Sequence, residues 1–298
     1  MTMSRMALIS RKFSGEAPEM PWSETVRQLM PWRLEEYRCQ LRMLRMKRYL
    51  GMSWGEFLRW TRKGDWRSCH KLASMVAREG SGDGVLWKTP LGEFWGRSSD
   101  DALVAFETLD DLVYKAYERG PVRLRRGDIV LDCGGHLGTF TRYALNRGAR
   151  AVVVVEPDPI NAAFIRKSFA SEISERRVRL VEAALTEQGG EVSFDPSESA
   201  GGSVASQRSA LTITVKAMTI DEIVQDLPRV DFIKMDIEGA ERAALLGAKA
   251  SIARWKPRMA LCIYHLDDDP QVIQKRVLAI HPGYKVLTRA RAQAYFYA

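Results

Sequence analysis

From Leu124 to the end of the chain, short runs of apolar and β-branched residues alternate with stretches of helical pattern. The apolar runs are Ile129–Cys133, Ala151–Glu156, Val178–Glu182, Val230–Asp236 and Met259–Tyr264. The helical stretches begin near Gly138, Pro159, Thr219, Glu238 and Pro270. Such alternation is typical of βαβ units, whose parallel strands form a sheet that is buried on both faces. The pattern therefore predicts an α/β domain over residues 124–298.

The ends of this domain carry a different pattern. Two final runs, Lys285–Thr288 and Gln293–Tyr297, are separated by a short turn and predict a closing antiparallel hairpin. Upstream, residues 81–123 predict a hairpin of Val85–Lys88 and Glu93–Arg97, followed by a helix that begins near Ser98 and runs to about Arg119. We interpret residues 81–123 as a segment leading into the core.

Residues 1–80 form a basic N-terminal extension. They hold 16 Lys and Arg against 8 Asp and Glu, so the whole net charge of +8 lies there. Helical periodicity predicts a helix over Trp32–Leu50, a second after Ser53 and a third that is capped by Asp65 and ends near Gly80. We predict that this extension either packs as a helical cap on the core or contacts an anionic partner, a membrane surface or a second subunit.

The four cysteines give information about the compartment and about metals. Cys39, Cys69, Cys133 and Cys262 form no C-x-x-C pair and no zinc-ligand spacing. Cys133 and Cys262 fall in predicted strands, where we expect buried, reduced thiols. The chain has no run of 18 apolar residues and no clear secretory cleavage site. Together these features favour a cytoplasmic protein.

A glycine-rich turn follows the first predicted strand of the domain. Asp132 lies in that strand shortly before the first glycine, and Gly134, Gly135 and Gly138 lead into a helix. Glycines let a backbone approach a ligand closely, and the N–H groups at a helix N-terminus attract anionic groups. Glu156 ends the second strand, where a carboxylate can accept hydrogen bonds from ribose hydroxyls. A nicotinamide cofactor would suit this arrangement as well, but Asp132 suits a cationic amino-acid moiety better than a pyrophosphate.

Four motifs resemble the signatures of FkbM-type methyltransferases. They are Val154-Val-Glu-Pro-Asp-Pro159, Val181-Glu-Ala-Ala-Leu185, Val230-Asp-Phe-Ile-Lys-Met-Asp-Ile-Glu-Gly-Ala-Glu241 and Cys262-Ile-Tyr-His-Leu-Asp-Asp-Asp269. The resemblance covers about residues 124–290 and implies a class I, Rossmann-like fold that binds S-adenosylmethionine (SAM) and methylates hydroxyl oxygens, often on sugars. It implies cofactor contacts at Asp132, Gly134, Gly135, Gly138, Glu156, Pro157 and, beside the adenine, Ala183. His136 departs from the family, which usually has Asn or another small or apolar residue there.

The candidate catalytic residues lie at the ends of the fourth and fifth predicted strands. Lys234 and Asp236 share one face of the fourth strand, and we expect Lys234 to point toward a carboxylate near the open end of the sheet. Glu238 and His265 follow the two strands and line the same crevice. Asp236 could instead cap the next helix, Glu238 could favour the helix dipole, and His265 could brace a loop.

The leading hypothesis is a SAM-dependent O-methyltransferase whose acceptor is a hydroxyl of a sugar, a glycan or another small molecule. Methyl transfer to an alcohol needs alignment and benefits from a base. We expect a metal-free site with His265 as the base and Asp236 or Glu238 orienting it, and a divalent ion held by carboxylates and imidazole is the alternative. The competing functions are nucleic-acid methylation that uses the basic extension, SAM binding without turnover, and dehydrogenation with NAD.

Every cofactor motif lies after Leu124, so we predict that residues 1–80 are not needed for SAM binding. A shortened chain beginning at Gly82 should bind SAM with the affinity of the full chain when titrated by calorimetry. A shortened chain that folds but does not bind SAM would place part of the cofactor site before residue 82.

Overall fold

The computed structural model describes residues 77–80, 84–97, 104, 107–108, 110–196, 203–204, 212–289 and 292–298. These residues form three sheets and the helices that pack on them. The helices expected over Trp32–Leu50 and after Ser53 lie outside the described residues. None of the helices in the described ranges is long and apolar enough to cross a membrane.

The central sheet has seven strands. They are β4 (Ile129–Cys133), β5 (Ala151–Val155), β6 (Val178–Val181), β11 (Phe232–Met235), β12 (Arg258–Cys262), β13 (Lys285–Arg289) and β14 (Gln293–Tyr297). Their order is β13-β14-β12-β11-β4-β5-β6, with β14 antiparallel to both β12 and β13 and every other pair parallel. The predicted mostly parallel sheet with a C-terminal antiparallel hairpin is therefore confirmed.

Helices connect the parallel strands. Four of them are α1 (Thr139–Asn146), α2 (Pro159–Ser168), α4 (Ile220–Val224) and α7 (Asp269–Ile280), each within one residue of its expected start. The prediction was wrong for α5 (Glu241–Leu246), which begins three residues after the expected Glu238. Two short helices were not predicted, α3 (Ala170–Ser174) and α6 (Lys249–Trp255).

Alternate residues of the central strands belong to two hydrophobic clusters, one on each face of the sheet. Ile233 and Met235 of β11 belong to one cluster, and Phe232 belongs to the other. Residues of β4 and β5 alternate in the same way, and Cys133 and Cys262 are fully buried free thiols. Burial on both faces explains why these strands read as continuous apolar runs rather than as alternating patterns.

A second sheet of four strands was not predicted from the sequence. It consists of β7 (Ala184–Leu185), β8 (Gly190–Asp195), β9 (Ser203–Val204) and β10 (Ile213–Met218), in the order β7-β10-β8-β9. Five of the six residues of β8 and five of the six of β10 are partly or fully exposed, so neither strand carries an apolar run. Their stability comes from pairing with each other over five residues, a non-local contact that hydropathy does not reveal.

A three-stranded antiparallel sheet precedes the domain and consists of β1 (Ala77–Glu79), β2 (Val85–Lys88) and β3 (Glu93–Gly96). The predicted hairpin is confirmed. The expectation that a helix ends near Gly80 is wrong at its last residues, because Ala77–Glu79 pairs with β2. The expected helix to Arg119 ends earlier, since the π-helical turn Asp110–Tyr114 is followed by Lys115 with a left-handed φ of +47°.

Gly138 makes a close approach within the chain itself. Its φ is +85°, and an added Cβ would lie 2.4 Å from a ring carbon of Phe169. Gly127 has nearly the same φ, +87°, but nothing lies within 4 Å of its Cβ position. The two glycines therefore share a backbone constraint and differ only in their packing.

We predict that Gly138→Ala lowers the free energy of unfolding by about 1–3 kcal/mol more than Gly127→Ala does, because only Gly138 adds overpacking to the left-handed strain. Urea unfolding followed by circular dichroism measures both losses. Equal losses for the two variants would mean that Phe169 moves aside without cost.

Candidate functional site

The strand order reverses between β4 and β11. From β4 the chain continues outward to β5 and β6, then crosses back to place β11 on the other side of β4. In open α/β sheets, ligands bind beyond the carboxyl ends of the strands at such a reversal. The glycine turn after β4, Glu156 after β5, Asp236 after β11 and His265 after β12 all lie at these carboxyl ends.

The glycine turn is shaped by contacts with the chain and leaves the N-terminus of α1 open. Gly134 has a φ of +84°, and an added Cβ would lie 2.0 Å from the carbonyl oxygen of Asp236. Gly138 is the N-cap of α1 and offers no side chain to its first N–H groups. An uncapped helix N-terminus at a strand end can bind a carboxylate or a phosphate. His136 adopts φ +49°, a conformation that His and Asn tolerate better than most residues do.

Glu156 lies against the same turn and is 5% exposed. Its carboxylate accepts hydrogen bonds from the backbone N–H of His136 at 2.7 Å and of Asp158 at 2.9 Å. Burial raises the pKa of Glu156 to about 7. Each oxygen keeps a second lone pair, so the group can still accept a hydroxyl of a ligand. Pro157 follows Glu156 and is partly exposed, whereas Ala183 is fully buried.

Lys234 and Asp132 form a buried ion pair between two neighbouring strands. Lys234 Nζ lies 3.1 Å from Asp132 Oδ1 and donates a hydrogen bond of 2.5 Å to the carbonyl oxygen of Gly134. Thr141 donates to the other carboxylate oxygen at 2.7 Å. Burial lowers the pKa of Lys234, but the charge of Asp132 outweighs it and raises the pKa, so the lysine stays an ammonium. Lys234 thus points toward a carboxylate, as expected, while Asp132 is fully buried and does not line the crevice.

Asp236 is held by two tyrosines. Tyr117 and Tyr264 donate hydrogen bonds to its two oxygens, at 2.9 Å and 3.0 Å. Burial opposes ionisation of Asp236, but the charges of Lys234 and His265 outweigh it and lower the pKa. The carboxylate is therefore ionised and fixed in orientation, and it does not cap a helix, because α5 begins five residues later.

His265 packs among three carboxylates. Its Nδ1 lies 2.9 Å from Glu241 Oε1, and its Nε2 lies 3.3 Å from Glu238 Oε2 and 3.5 Å from Asp236 Oδ1. Burial lowers the pKa of His265, but the Glu238 and Glu241 carboxylates outweigh it and raise the pKa to about 11. The ring therefore carries a proton at neutral pH in the free protein, and this proton has to leave before the imidazole can act as a base.

A tight turn brings Glu238 toward His265. Glu238 and Gly239 both have left-handed backbones, with φ of +53° and +96°. Glu241 stabilises the turn, because its two oxygens accept the N–H groups of Ile237 at 2.9 Å and Gly239 at 3.0 Å. A non-glycine residue with this backbone is often found where a side chain must be aimed at a site.

The segment before the domain adds acidic groups that the sequence did not single out. Glu107 lies 2.7 Å from His136 Nδ1 and accepts a hydrogen bond of 2.8 Å from Thr139 Oγ1, so it contacts both sides of the glycine turn. Burial raises the pKa of Asp110 to about 7 and raises that of Asp111 well above its usual range. None of these residues belongs to a motif, and only the folded chain brings Glu107 and Tyr117 to the site residues that they contact.

The structure therefore brings together Asp236, Glu238 and His265 at one edge of the crevice, and the glycine turn and Glu156 at the other, while Lys234 is buried and contacts Asp132 and the carbonyl of Gly134. Glu241, which ends the third of the four motifs but was not a candidate catalytic residue, contacts His265 in the first group. Tyr264 stands one residue before His265, in the last of the four motifs, but its role as a donor to Asp236 is visible only in three dimensions.

Residues 132–283, about half of the chain, match the family model of the methyltransferase FkbM domain. A crystal structure of the methyltransferase FkbM from Methylobacillus flagellatus KT superimposes with a TM-score of 0.50 at 19% identity, over 98% of this chain and 70% of that one. At that identity the likeness concerns the fold alone.

Two curated proteins are similar in sequence. The hexuronic acid methyltransferase AglP of Haloferax volcanii is 25% identical over 150 residues, 50% of this chain and 60% of that protein. The 2-O-methyltransferase NoeI of Sinorhizobium fredii is 27% identical over 147 residues, 42% of this chain and 59% of that protein. The matched stretches thus span about three-fifths of the length of each relative.

We predict that Lys234→Met lowers the free energy of unfolding by about 3–5 kcal/mol, because it leaves the Asp132 carboxylate buried without a counter-charge. Asp132→Asn should be costly for the converse reason. The double variant should lose much less than the sum of the two single losses, and denaturant unfolding of all four proteins gives this coupling. Additive losses would mean that the pair does not act as a unit.

Proposed function

The chain belongs to the methyltransferase FkbM family, and we propose that it transfers the methyl group of SAM to a hydroxyl of a sugar, a glycan or another small molecule. One observation carries this proposal. The open N-terminus of α1, the Glu156 carboxylate and the polar side chains around His265 all lie where the strand order reverses. Methyl transfer needs such a layout, because donor and acceptor must meet in line.

The cofactor half of the crevice would bind SAM along the glycine turn. The methionine carboxylate would meet the uncapped N–H groups of α1, and the ribose hydroxyls would donate to Glu156. Gly134, Gly135 and Gly138 would shape this path, with Pro157 as a further cofactor contact and Ala183 near the adenine. Asp132 would support the glycine turn indirectly. Its carboxylate pairs with Lys234, and Lys234 donates a hydrogen bond to the carbonyl of Gly134.

The acceptor half would lie over Asp236, Glu238 and His265. These groups would orient the hydroxyl and take up its proton as the methyl group arrives. Glu238 is well suited to pass the proton to water, because its side chain is 32% exposed. Lys234 would contribute through Asp132 and the glycine turn and not by touching the acceptor, since its ammonium is buried in the sheet.

A sugar is the acceptor we favour, for two reasons. Both curated relatives carry names that place their methyl transfer on a hexuronic acid or at a 2-O position. The acceptor edge also carries several acceptors and donors close together, namely the carboxylates of Asp236 and Glu238 and the hydroxyl groups of Tyr117 and Tyr264. A polyhydroxylated ring can use many hydrogen-bonding groups at once.

The same assays can also support either of two other functions. The basic residues 1–80 would favour nucleic-acid methylation, which predicts transfer to RNA or DNA and a steep loss of binding with salt. A protein that binds SAM without turnover would bind the cofactor normally and transfer no methyl group to any hydroxyl.

The ribose contact can be tested by calorimetry. Glu156→Ala should weaken SAM binding by about 1–3 kcal/mol, because it leaves hydroxyls without an acceptor. NAD should bind the parent chain far more weakly than SAM. Unchanged SAM affinity in a folded variant would remove the ribose assignment, and NAD binding comparable to SAM would remove the methyltransferase proposal.

SAM affinity should also depend on pH through Glu156. Its carboxyl is neutral below a pKa of about 7 and ionised above it, and ribose hydroxyls donate to the ionised form. Affinity should therefore rise as pH rises through about 7 and level off above it, with a fall of up to about tenfold for each pH unit below. Glu156→Gln should bind weakly and show no such rise. A pH-independent affinity in the parent chain would contradict the assignment.

The acceptor is tested by incubating the chain with methyl-labelled SAM and uronic acids, neutral sugars, phenols and RNA. We expect label on a sugar hydroxyl. With that acceptor, His265→Ala should lower turnover by about 10²–10⁴-fold while SAM still binds. Transfer to RNA alone would favour the nucleic-acid alternative, and full activity of His265→Ala would leave alignment by Asp236 and Glu238 as the source of catalysis.

A further inference from the structure

The cluster around His265 holds a compact set of possible metal-ligand atoms. Asp236, Glu241 and His265 each offer one ligand atom, and these three atoms lie within 4.8 Å of one another. The residues come from three places in the fold, namely the end of β11, the first turn of α5 and the segment after β12.

The imidazole supplies an observation independent of the acidic cluster. The His265 side chain is 8% exposed, and its ring nitrogens contact three carboxylates without forming an aligned hydrogen bond. Glu241 Oε1 is near enough to Nδ1 for a hydrogen bond, at 2.9 Å, so it is the direction of this contact that is unsuitable. Buried polar nitrogens of this kind call for an explanation, because nearly all such groups in proteins make a hydrogen bond of good geometry.

A shared ion explains both the distance and the direction. Two ligands on adjacent positions of an octahedral ion, each about 2.1 Å from it, are separated by about 3 Å. The lone pairs of the two ligand atoms then both point at the ion. Neither ligand atom points at the other, so the two do not form an aligned hydrogen bond. The contact of His265 Nδ1 with Glu241 has this separation, and it is not aligned as a hydrogen bond.

The carboxylates have capacity left for an ion. Each oxygen of Asp236 accepts one tyrosine hydroxyl, and each oxygen of Glu241 accepts one backbone N–H. These bonds hold the groups in place and leave a second lone pair on every oxygen. Ligand carboxylates in metal sites are usually hydrogen-bonded in this way, since outer partners orient them.

We propose that Asp236, Glu241 and His265 form a binding site for one divalent cation of the Mg²⁺ or Mn²⁺ class. Carboxylate oxygens with a single imidazole suit these hard ions, whereas zinc sites rely on more nitrogen or sulfur ligands. Glu238, exposed at the rim, is placed to reach the ion or a water bound to it. The site differs from the metal-free arrangement that the sequence favoured.

Such an ion would give the acceptor edge a Lewis acid. It would bind the acceptor hydroxyl and lower the pKa of that hydroxyl, as bound divalent ions do for water. The cation site does not depend on which hydroxyl is methylated. Its test therefore uses binding, so that failure of the site and failure of the methyl-transfer proposal are separate results.

The experiment is a titration of the metal-free full chain with Mn²⁺, followed by calorimetry and by electron paramagnetic resonance. We expect one ion per chain and a spin-echo modulation from a directly bound imidazole nitrogen. His265→Gln should abolish that modulation, and His265→Gln and Asp236→Asn should each raise the Kd by at least about 10–100-fold, the range seen when even an outer partner of a metal site is lost.

The matched controls are Asp267→Asn and His281→Gln, which remove an exposed acid two residues from His265 and a histidine after α7. Both should leave the Kd within about twofold of the parent value, well below the loss expected for a ligand. Absence of Mn²⁺ binding at about millimolar concentration, an affinity typical only of the weakest dedicated sites, overturns the proposal. So does binding without the nitrogen modulation in the parent chain, a readout that requires no variant to fold.

Discussion

The buried pair of Lys234 and Asp132 is the interaction on which the rest of the crevice depends. The two residues are register partners on β11 and β4, the strands that flank the reversal of strand order. The ammonium also donates to the carbonyl of Gly134, so one charge connects two strands and the turn that follows them. A buried pair gains little net stability against the cost of desolvation, but it strongly disfavours any arrangement that separates the charges. The pairing register of β4 and β11 and the conformation of the glycine turn are therefore coupled.

Beyond this pair, the two halves of the crevice differ in the groups that they offer to a ligand. The glycine turn offers backbone N–H groups and the open N-terminus of α1, which suit anionic groups. The other half is acidic, with Asp236, Glu238 and Glu241 around His265. A ligand such as SAM, which carries a carboxylate at one end of its methionine moiety and a positively charged sulfonium at the other, would be complementary to both. The acidic half is also where a cation would offset the excess of negative charge.

Much of this architecture follows from local sequence. The strands β4 and β14 match their predicted bounds, because burial on both faces or a clear turn marks their ends. Lys234 was expected to meet a carboxylate because an unpaired lysine in an apolar strand would be too costly. By contrast, β8 and β10 have no apolar run, and α5 starts late because Glu238 and Gly239 are left-handed, a backbone choice set by the contacts of Glu241. Glu107 and Tyr117 reach the crevice by tertiary packing, which no motif records.

The measurement that tests this account most directly is an experimental structure of the chain with S-adenosylhomocysteine, the product that remains after methyl transfer. The account predicts that the ribose hydroxyls lie within hydrogen-bonding distance of Glu156 and that the carboxylate of the homocysteine meets the first turn of α1. The sulfur should then face the edge formed by Asp236, Glu238 and His265, where a methyl group would leave it. A ligand bound away from the glycine turn, or a sulfur directed away from that edge, would contradict the account.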